Sequence, residues 1–429
     1  MYGTDGMMDL EANVFTSSNK DAEVAGKEVA EKISKKIKQK PTFALMFCTG
    51  HYEENNGLRK ILDSVYNSLP PNTNLVGGNV AGFVTREGCY AKGVAVLTVS
   101  YPNMNISIGI GKNTKRNPKK AARQCSMMIK KGLKGKYKTK IIFSLVSGAE
   151  MPHIPGLSDA TNIKSKLFAK LMVSMFSFTQ KTAQKGFGGE QEVLEEISKE
   201  LPDFNLIHGS IMNSYTLENN YQFFNKEILT EAVVCLAIET DLNLDLRSAH
   251  GGEKTNISFK ITDISKDRFF IKKINDKPAL PEFLRLMNWT KESFEKEKLI
   301  DIIGRYPLTF EKNGKIFLRP IGAFIGNYIG AMSKLEKDEI FITKISEYDI
   351  IKSIDEITVS DNPQFGYMVS CIGRQGILGL KIFQSQEVIK NYFKDKEFLL
   401  IYTAAEGTKR PQEELDYFNL TITSAIFSK

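Results

Sequence analysis

Apolar residues recur along this chain with two periods. Ala22, Ala25, Val29, Ile33 and Ile37 return at helical spacing, with Lys and Glu between them, so a helix is expected there until Pro41. The apolar run at 43–48 predicts a strand. Leu58, Ile61, Leu62 and Val65 predict a second helix over 57–68, stopped by Pro70-Pro71. Leu75-Val76 leads into a glycine-bearing loop, Gly77-Gly78-Asn79-Val80-Ala81-Gly82, and strands are expected at 93–100 and 106–110. Residues 1–21 show no period and are expected to form a flexible tail.

The same order then recurs. Residues 141–148 echo 43–50, 206–210 echo 75–79, 232–236 echo 93–97, and 242–246 echo 104–108. Four echoes in one order predict an internal duplication of residues 22–250, with copies at about 22–135 and 136–250. The second copy is lengthened by an insertion near 158–200. There Leu167, Phe168, Leu171, Met172, Met175 and Phe176 form an apolar helical stripe, whose ordinary use is core packing.

After His250-Gly251-Gly252 the pattern changes. Ile257, Phe259 and Ile261, then Phe269, Phe270 and Ile274, alternate as a β-hairpin that opens a new domain over 251–429. Helices are expected at 281–287, 291–303 and 386–394, with strands over 315–373, 398–403 and 420–426. The expected fold class is α/β with mixed sheets of α+β type: a duplicated first half packed against an α+β second domain.

Composition narrows the function. The chain has 429 residues, 42% apolar and 25% charged, as a globular protein does. No apolar run reaches the roughly 20 residues of a membrane helix, and the first residues lack a signal-peptide pattern, so no membrane insertion and a cytoplasmic location are expected. Five widely spaced cysteines, with no C-x-x-C, suggest reduced thiols rather than a disulfide framework or zinc cluster. The four histidines fall at no metal-ligand spacing, and no metal site is expected. The net charge of +8 is local: residues 112–140 hold twelve Lys or Arg and no acid, leaving 8 − 12 = −4 elsewhere. A nucleic-acid partner is therefore not expected. Asn117-Pro118 opens and Gly132 closes a helix in that segment, with Ala121, Ala122, Cys125, Met128 and Ile129 on one face. Its lysines read as a solvated face or as a docking face for an acidic partner.

Candidate chemistry is sparse. Gly77-Gly78 reads as a tight turn or as an anion cradle. His208, at the matching place of the second copy, reads as a satisfied structural histidine. Arg374 would favour thiolate at Cys371, but no spacing places a histidine beside it as base. Glu406 reads either as a solvated loop carboxylate or as a ligand contact.

Several of these runs resemble a family. The run 25–30, the strand at 43–47, the loop Leu75-Val76-Gly77-Gly78-Asn79-Val80-Ala81-Gly82 and the strand 93–97 resemble a FIST N domain, although Phe83 stands where the family's loop glutamate is usual. Residues 272–280, with Pro278-Ala279-Leu280, the strand end Ser370-Cys371-Ile372-Gly373-Arg374, and Thr403-Ala404-Ala405-Glu406-Gly407 followed by Asn419-Leu420-Thr421, resemble FIST C, with Ala405 in place of a usual glycine. The resemblance spans about residues 22–428. It implies a sensory role in signal transduction: binding a small molecule and passing its presence to a protein partner. No cofactor follows from it. The strand-end residues Cys371, Arg374, Glu406, Asn419 and Thr421, with Gly77, Gly78 and Asn79 as a further wall, are the candidate ligand site. Arg374 suits a carboxylate or phosphate, and Glu406 an amine or hydroxyl, so an amino acid or a nucleotide-like compound fits. A cysteine-dependent hydrolase or transferase and a scaffold acting through basic surface helices are the competing readings.

Overall fold

The computed structural model describes residues 10–150, 162–163, 189–213, 219–290 and 304–429. The stripe expected at 167–176 and the helix expected at 291–303 lie outside those residues.

Where pattern and local chemistry agree, the helices form as expected. The first spans Ala22–Lys36. Asp21 caps it by accepting from the Glu23 and Val24 N–H groups, Lys35 and Lys36 stand in its last turn, and Ala25, Val29 and Ile33 face inward. The second spans Gly57–Ser68 and buries Leu58, Ile61, Leu62 and Val65. The helix of the basic segment runs Pro118–Gly132 and buries Ala121, Ala122, Cys125, Ser126 and Ile129. Met128, expected on the buried face, is 39% exposed beside Met127 at 55%.

Three of the four sheets share one hydrogen-bonding order. In the first, Phe43–Thr49 pairs parallel with Asn74–Val80 and antiparallel with Val94–Ser100, which also carries Glu11–Ser17. In the second, Thr139–Ser147 pairs parallel with Asn205–Ile211 and antiparallel with Ala232–Thr240, which carries Met104–Lys112. In the third, Pro363–Cys371 pairs parallel with Glu397–Thr403 and antiparallel with Ile422–Ser428, which carries Asn243–Ala249. Each sheet is completed by a hairpin from elsewhere in the chain. Gln222–Phe224 with Glu227–Leu229 joins the first, Glu406–Lys409 with Asp416–Phe418 the second, and Gly82–Thr85 with Cys89–Tyr90 the third.

Three expectations change here. The order that was expected twice within 22–250 occurs a third time near the C-terminus. The boundary expected at 250 is also crossed, because the third sheet takes Gly82–Thr85 and Asn243–Ala249 from the first half. Residues 253–344 instead build most of a separate nine-stranded sheet. The flexible tail expected over 1–21 contains the strand Glu11–Ser17, whose Val14 and Phe15 are buried. Its partner strand, Val94–Ser100, lies far away in the sequence, and a local pattern carries no trace of such pairing.

The inner faces of the three sheets meet in one core. Leu45, Phe143 and Tyr367 hold the same register position in their strands and are buried there. Phe143 and Tyr367 stack at 4.7 Å, and Phe365 and Phe427 at 4.4 Å. The outer faces are covered by helices: Ala22–Lys36 and Gly57–Ser68 on the first, Pro118–Gly132 and Glu190–Glu200 on the second, Ile382–Phe393 on the third.

Candidate functional site

The three parallel strand pairs end at Thr49/Val80, Ser147/Ile211 and Cys371/Thr403. Against them lie the opening strands of the exchanged hairpins, through Gln222 and Glu406 at their first positions and Phe83 at its second. Gln222 pairs with Gly78, Glu406 with Gly209, and Phe83 with Ile401, each two residues before the end of its partner strand. Phe83, Gln222 and Glu406 therefore occupy one topological position three times over, and each is buried. Their chemistry differs. Phe83 is apolar. The Gln222 amide is neutral and paired, its nitrogen donating to the Leu229 carbonyl at 3.2 Å and its oxygen accepting from the Ser147 N–H at 3.2 Å. Glu406 alone is ionisable.

Glu406 was expected in a loop, with solvated carboxylate as one reading. It lies in a strand and is 0% exposed. Its Oε2 accepts from the Thr421 hydroxyl at 2.9 Å and the Thr421 N–H at 3.3 Å, while Oε1 has no hydrogen-bond partner among the described residues, with the Cys371 thiol close to the carboxyl. Burial pushes the carboxyl up to about 8, against the pull of the Thr421 bonds and the Arg374 charge. Asn419, just after the hairpin strand that pairs with Glu406, is also buried, and its Oδ1 likewise has no donor among the described residues. Two buried polar atoms here thus have no hydrogen-bond partner among the described residues.

Cys371 closes the strand below Glu406. Its thiol donates to the Ala404 carbonyl at 3.6 Å, and burial followed by the Glu406 charge pushes it far up. The nearby Arg374 does not reverse this. The thiolate expected from Arg374 is absent, which disfavours Cys371 as a nucleophile.

Arg374 itself departs from expectation. It is 1% exposed and directs Nη1 at the His250 carbonyl at 2.9 Å, and Nη2 at the Ile350 carbonyl at 3.2 Å and the Ser353 hydroxyl at 2.8 Å. A guanidinium so engaged has no bidentate grip left for a ligand anion. It acts instead as a buried positive charge beside Glu406 and ties the helix Ile372–Leu378 to the chain at 250 and 350–353.

Gly77, Gly78 and Asn79 were expected in a loop and lie inside the strand Asn74–Val80. A Cβ at Gly77 would stand 1.7 Å from the Met46 carbonyl oxygen, so close packing alone requires glycine there. Asn79 faces the 219–221 segment: its Oδ1 accepts from the Tyr221 N–H at 2.8 Å, and its Nδ2 donates to the Asn219 carbonyl at 3.4 Å. These three residues belong to the first sheet and do not share the contacts of Glu406 and Cys371.

The sequence reading missed two clusters. In one, Glu53 accepts from Asn213 Nδ2, Asn219 Nδ2 and the Tyr221 hydroxyl, each at 2.7 Å. The dense asparagines at 213, 219 and 220 were its only local signal. In the other, buried Glu190, Ser210, His208 and Tyr417 line the helix-covered face of the second sheet, the opposite face from Glu406. His208 is fully paired, as a structural histidine is. Among the described residues no cluster of three His, Cys, Asp or Glu is placed to hold a metal, and no helix is long and apolar enough to cross a membrane.

A model of the FIST N domain matches residues 42–277. An uncharacterized protein of Methanocaldococcus jannaschii is 25% identical over 225 residues, covering 48% of this chain and 42% of that relative, so the match spans less than half of the relative's own length. Two solved structures are also similar. A cyanuric acid hydrolase aligns over 56% of this chain and 72% of its own at 10% identity and a TM-score of 0.26. A second, from A. caulinodans, aligns over 98% and 100% at 6% identity and a TM-score of 0.35.

Proposed function

Because the chain belongs to the FIST family, its FIST N match spanning more than half of its length, we propose that it is a small-molecule sensor whose ligand is a polar metabolite bearing N–H groups. The single observation that carries this is the pair of enclosed, unserved acceptors, Glu406 Oε1 and Asn419 Oδ1, beside the ends of the third parallel strand pair. An amine, amide or amidine nitrogen satisfies both, as in an amino acid or a nucleobase-bearing compound. Arg374 supplies field rather than contact. Since a carboxyl raised to about 8 is mostly protonated at neutral pH and Oε2 already accepts twice from Thr421, Oε1 accepts a ligand N–H only once that proton is lost, so binding of an amine, amide or amidine is coupled to proton release.

Glu406, Cys371 and Thr421 are buried, so ligand entry requires the hairpin at 406–418 to part from its neighbours. That hairpin pairs with the second sheet while Glu406 bonds Thr421, which leads into the third. Its position is the two-state element that a sensor needs. Among the described residues no histidine hydrogen-bonds Cys371: the His250 ring accepts from the Gly252 N–H at 2.8 Å, His208 bonds Ser144 and Ser210, and His51 bonds the Thr49 hydroxyl.

Thermal-shift screening against amine- and amide-bearing metabolites tests the proposal. A ligand at 100 times its Kd stabilises by roughly 2.7 kcal/mol through mass action. The shift should vanish in Asn419→Ala and shrink in Glu406→Gln, both assayed as folded proteins. No hit, or hits unaffected by both substitutions, sinks this reading.

A further inference from the structure

The strongest unassigned surface lies on the second sheet, away from Glu406. Its outermost strand, Met104–Lys112, pairs with Ala232–Thr240 on one side, and among the described residues no strand pairs on the other. The helix Pro118–Gly132 lies close over this strand. Gly109 and Gly111 allow that approach, since Cβ atoms there would stand 2.5 and 1.9 Å from the Cys125 and Ala121 carbonyl oxygens. Between helix and strand runs a groove of about 550 Å³. Its floor is Ile110, Met127 and Met128, and its rim carries Lys112, Lys120 and Lys131. Positions 120, 124, 127, 128 and 131 fall on one helical stripe. No acidic residue lines the groove.

The charges there are not spent internally. Elsewhere in the basic segment, Lys115, Arg123, Lys130 and Lys140 pair with Glu150, Glu196, Glu200 and Glu239. Among the described residues, of the rim lysines only Lys112 has an acid near, Glu227 at 3.6 Å, with both side chains more than half exposed. Exposed ion pairs of that kind hold little energy.

We propose that this groove receives an extended acidic segment of a partner protein, added as a further strand beside Met104–Lys112. Main-chain hydrogen bonds to the open edge supply the attachment. On the strand face turned to the helix, which holds every second side chain, apolar and acidic residues take turns, the apolar ones seating on the adaptable Met127 and Met128 and the carboxylates meeting Lys120 and Lys131, with Lys112 adding positive charge at the edge. The other polyanions fit less well. A nucleic-acid backbone would use the lysines and leave the methionine floor empty, and a flat membrane surface does not enter a concave groove. The site is independent of the proposed ligand pocket.

The probe is a fluorescein-labelled nine-residue peptide with Thr at odd positions and Glu, Val, Glu and Val at positions 2, 4, 6 and 8, so that both residue types share one strand face; it matches the nine-residue strand and is followed by fluorescence anisotropy on the intact chain. Saturable binding is expected. It should weaken at least tenfold in the Lys120→Glu/Lys131→Glu double variant, weaken in Met127→Ser/Met128→Ser, and fall as salt rises. N-methylation of alternate peptide amides, which blocks strand pairing, should abolish it, and the same peptide with Lys for Glu should not bind. Absence of saturable binding, indifference to either double variant, or full binding of the N-methylated peptide overturns the proposal. So does tighter binding of a 20-base-pair DNA duplex or of phosphatidylserine vesicles with the same lysine dependence.

Discussion

The Ser210 hydroxyl lies 2.6 Å from Glu190 Oε2 and 3.0 Å from His208 Nε2, at the centre of a buried chain that ends at the Tyr417 hydroxyl. Proton counting decides its charge. His208 Nδ1 faces the Ser144 carbonyl at 3.1 Å, so Nδ1 carries the hydrogen and Nε2 is an acceptor. Burial holds this imidazole down at about 3, hence neutral. One hydroxyl proton on Ser210 cannot serve both Nε2 and Glu190. The count closes when the Glu190 carboxyl carries a proton, the direction in which burial pushes it.

Glu190→Gln should therefore stay within about 1 kcal/mol of the parent, because a neutral group replaces a neutral one. Glu190→Leu should cost about 2–4 kcal/mol by stranding the Ser210 and Tyr417 hydroxyls. Urea midpoints of the two variants decide it. Equal losses would mean that Glu190 is ionised or that its bonds are immaterial.

Glu406 gives the fold a pH dependence. Its carboxyl moves from 4.5 to about 8 on folding. Between those values the folded state holds a proton that the unfolded state has lost. Its contribution is fully present below pH 4.5 and is lost as pH rises through 8, with a slope of at most about 1.4 kcal/mol per pH unit. Denaturation at pH 5, 6, 7 and 8 should show parent stability falling relative to Glu406→Gln. Parallel profiles would show that Glu406 titrates normally.

Arg374→Ala should destabilise by about 3 kcal/mol or more, because two carbonyls and the Ser353 hydroxyl lose their donor inside the protein. Arg374→Lys should recover only part of this, since one ammonium does not reproduce the guanidinium fork. A stable Arg374→Ala protein with lost ligand binding would instead make Arg374 a ligand contact.

Gly77→Ala should be strongly destabilising although its backbone is ordinary strand, because the new methyl meets the Met46 carbonyl of the neighbouring strand. A loss of about 2 kcal/mol or more in chemical unfolding is expected. A neutral outcome would show that the two strands can separate without cost.

The sequence by itself determined the elements whose signal is local. The helices at Ala22–Lys36 and Gly57–Ser68 announce themselves by apolar spacing and by their caps or a following proline, and the central strands by runs long enough to be buried on both faces. The repeated order was legible twice, because four apolar runs recur in the same sequence within residues 22–250 even though an insertion lengthens the second set. The third copy was hidden by the residues at 253–344 that separate its strands from the rest. Tertiary structure alone decided what is set by pairing between distant segments. It turned the apparent tail into a strand beside Val94–Ser100, exchanged the hairpins among the sheets, and buried Glu406 opposite Gly209. It also decided the chemistry. Arg374, Glu406 and Asn419 were readable as polar residues at strand ends, but whether a donor or acceptor remains free depends on which neighbours the fold brings within hydrogen-bond reach. For Arg374 it brought three acceptors. For Glu406 Oε1 and Asn419 Oδ1 it brought no donor among the described residues.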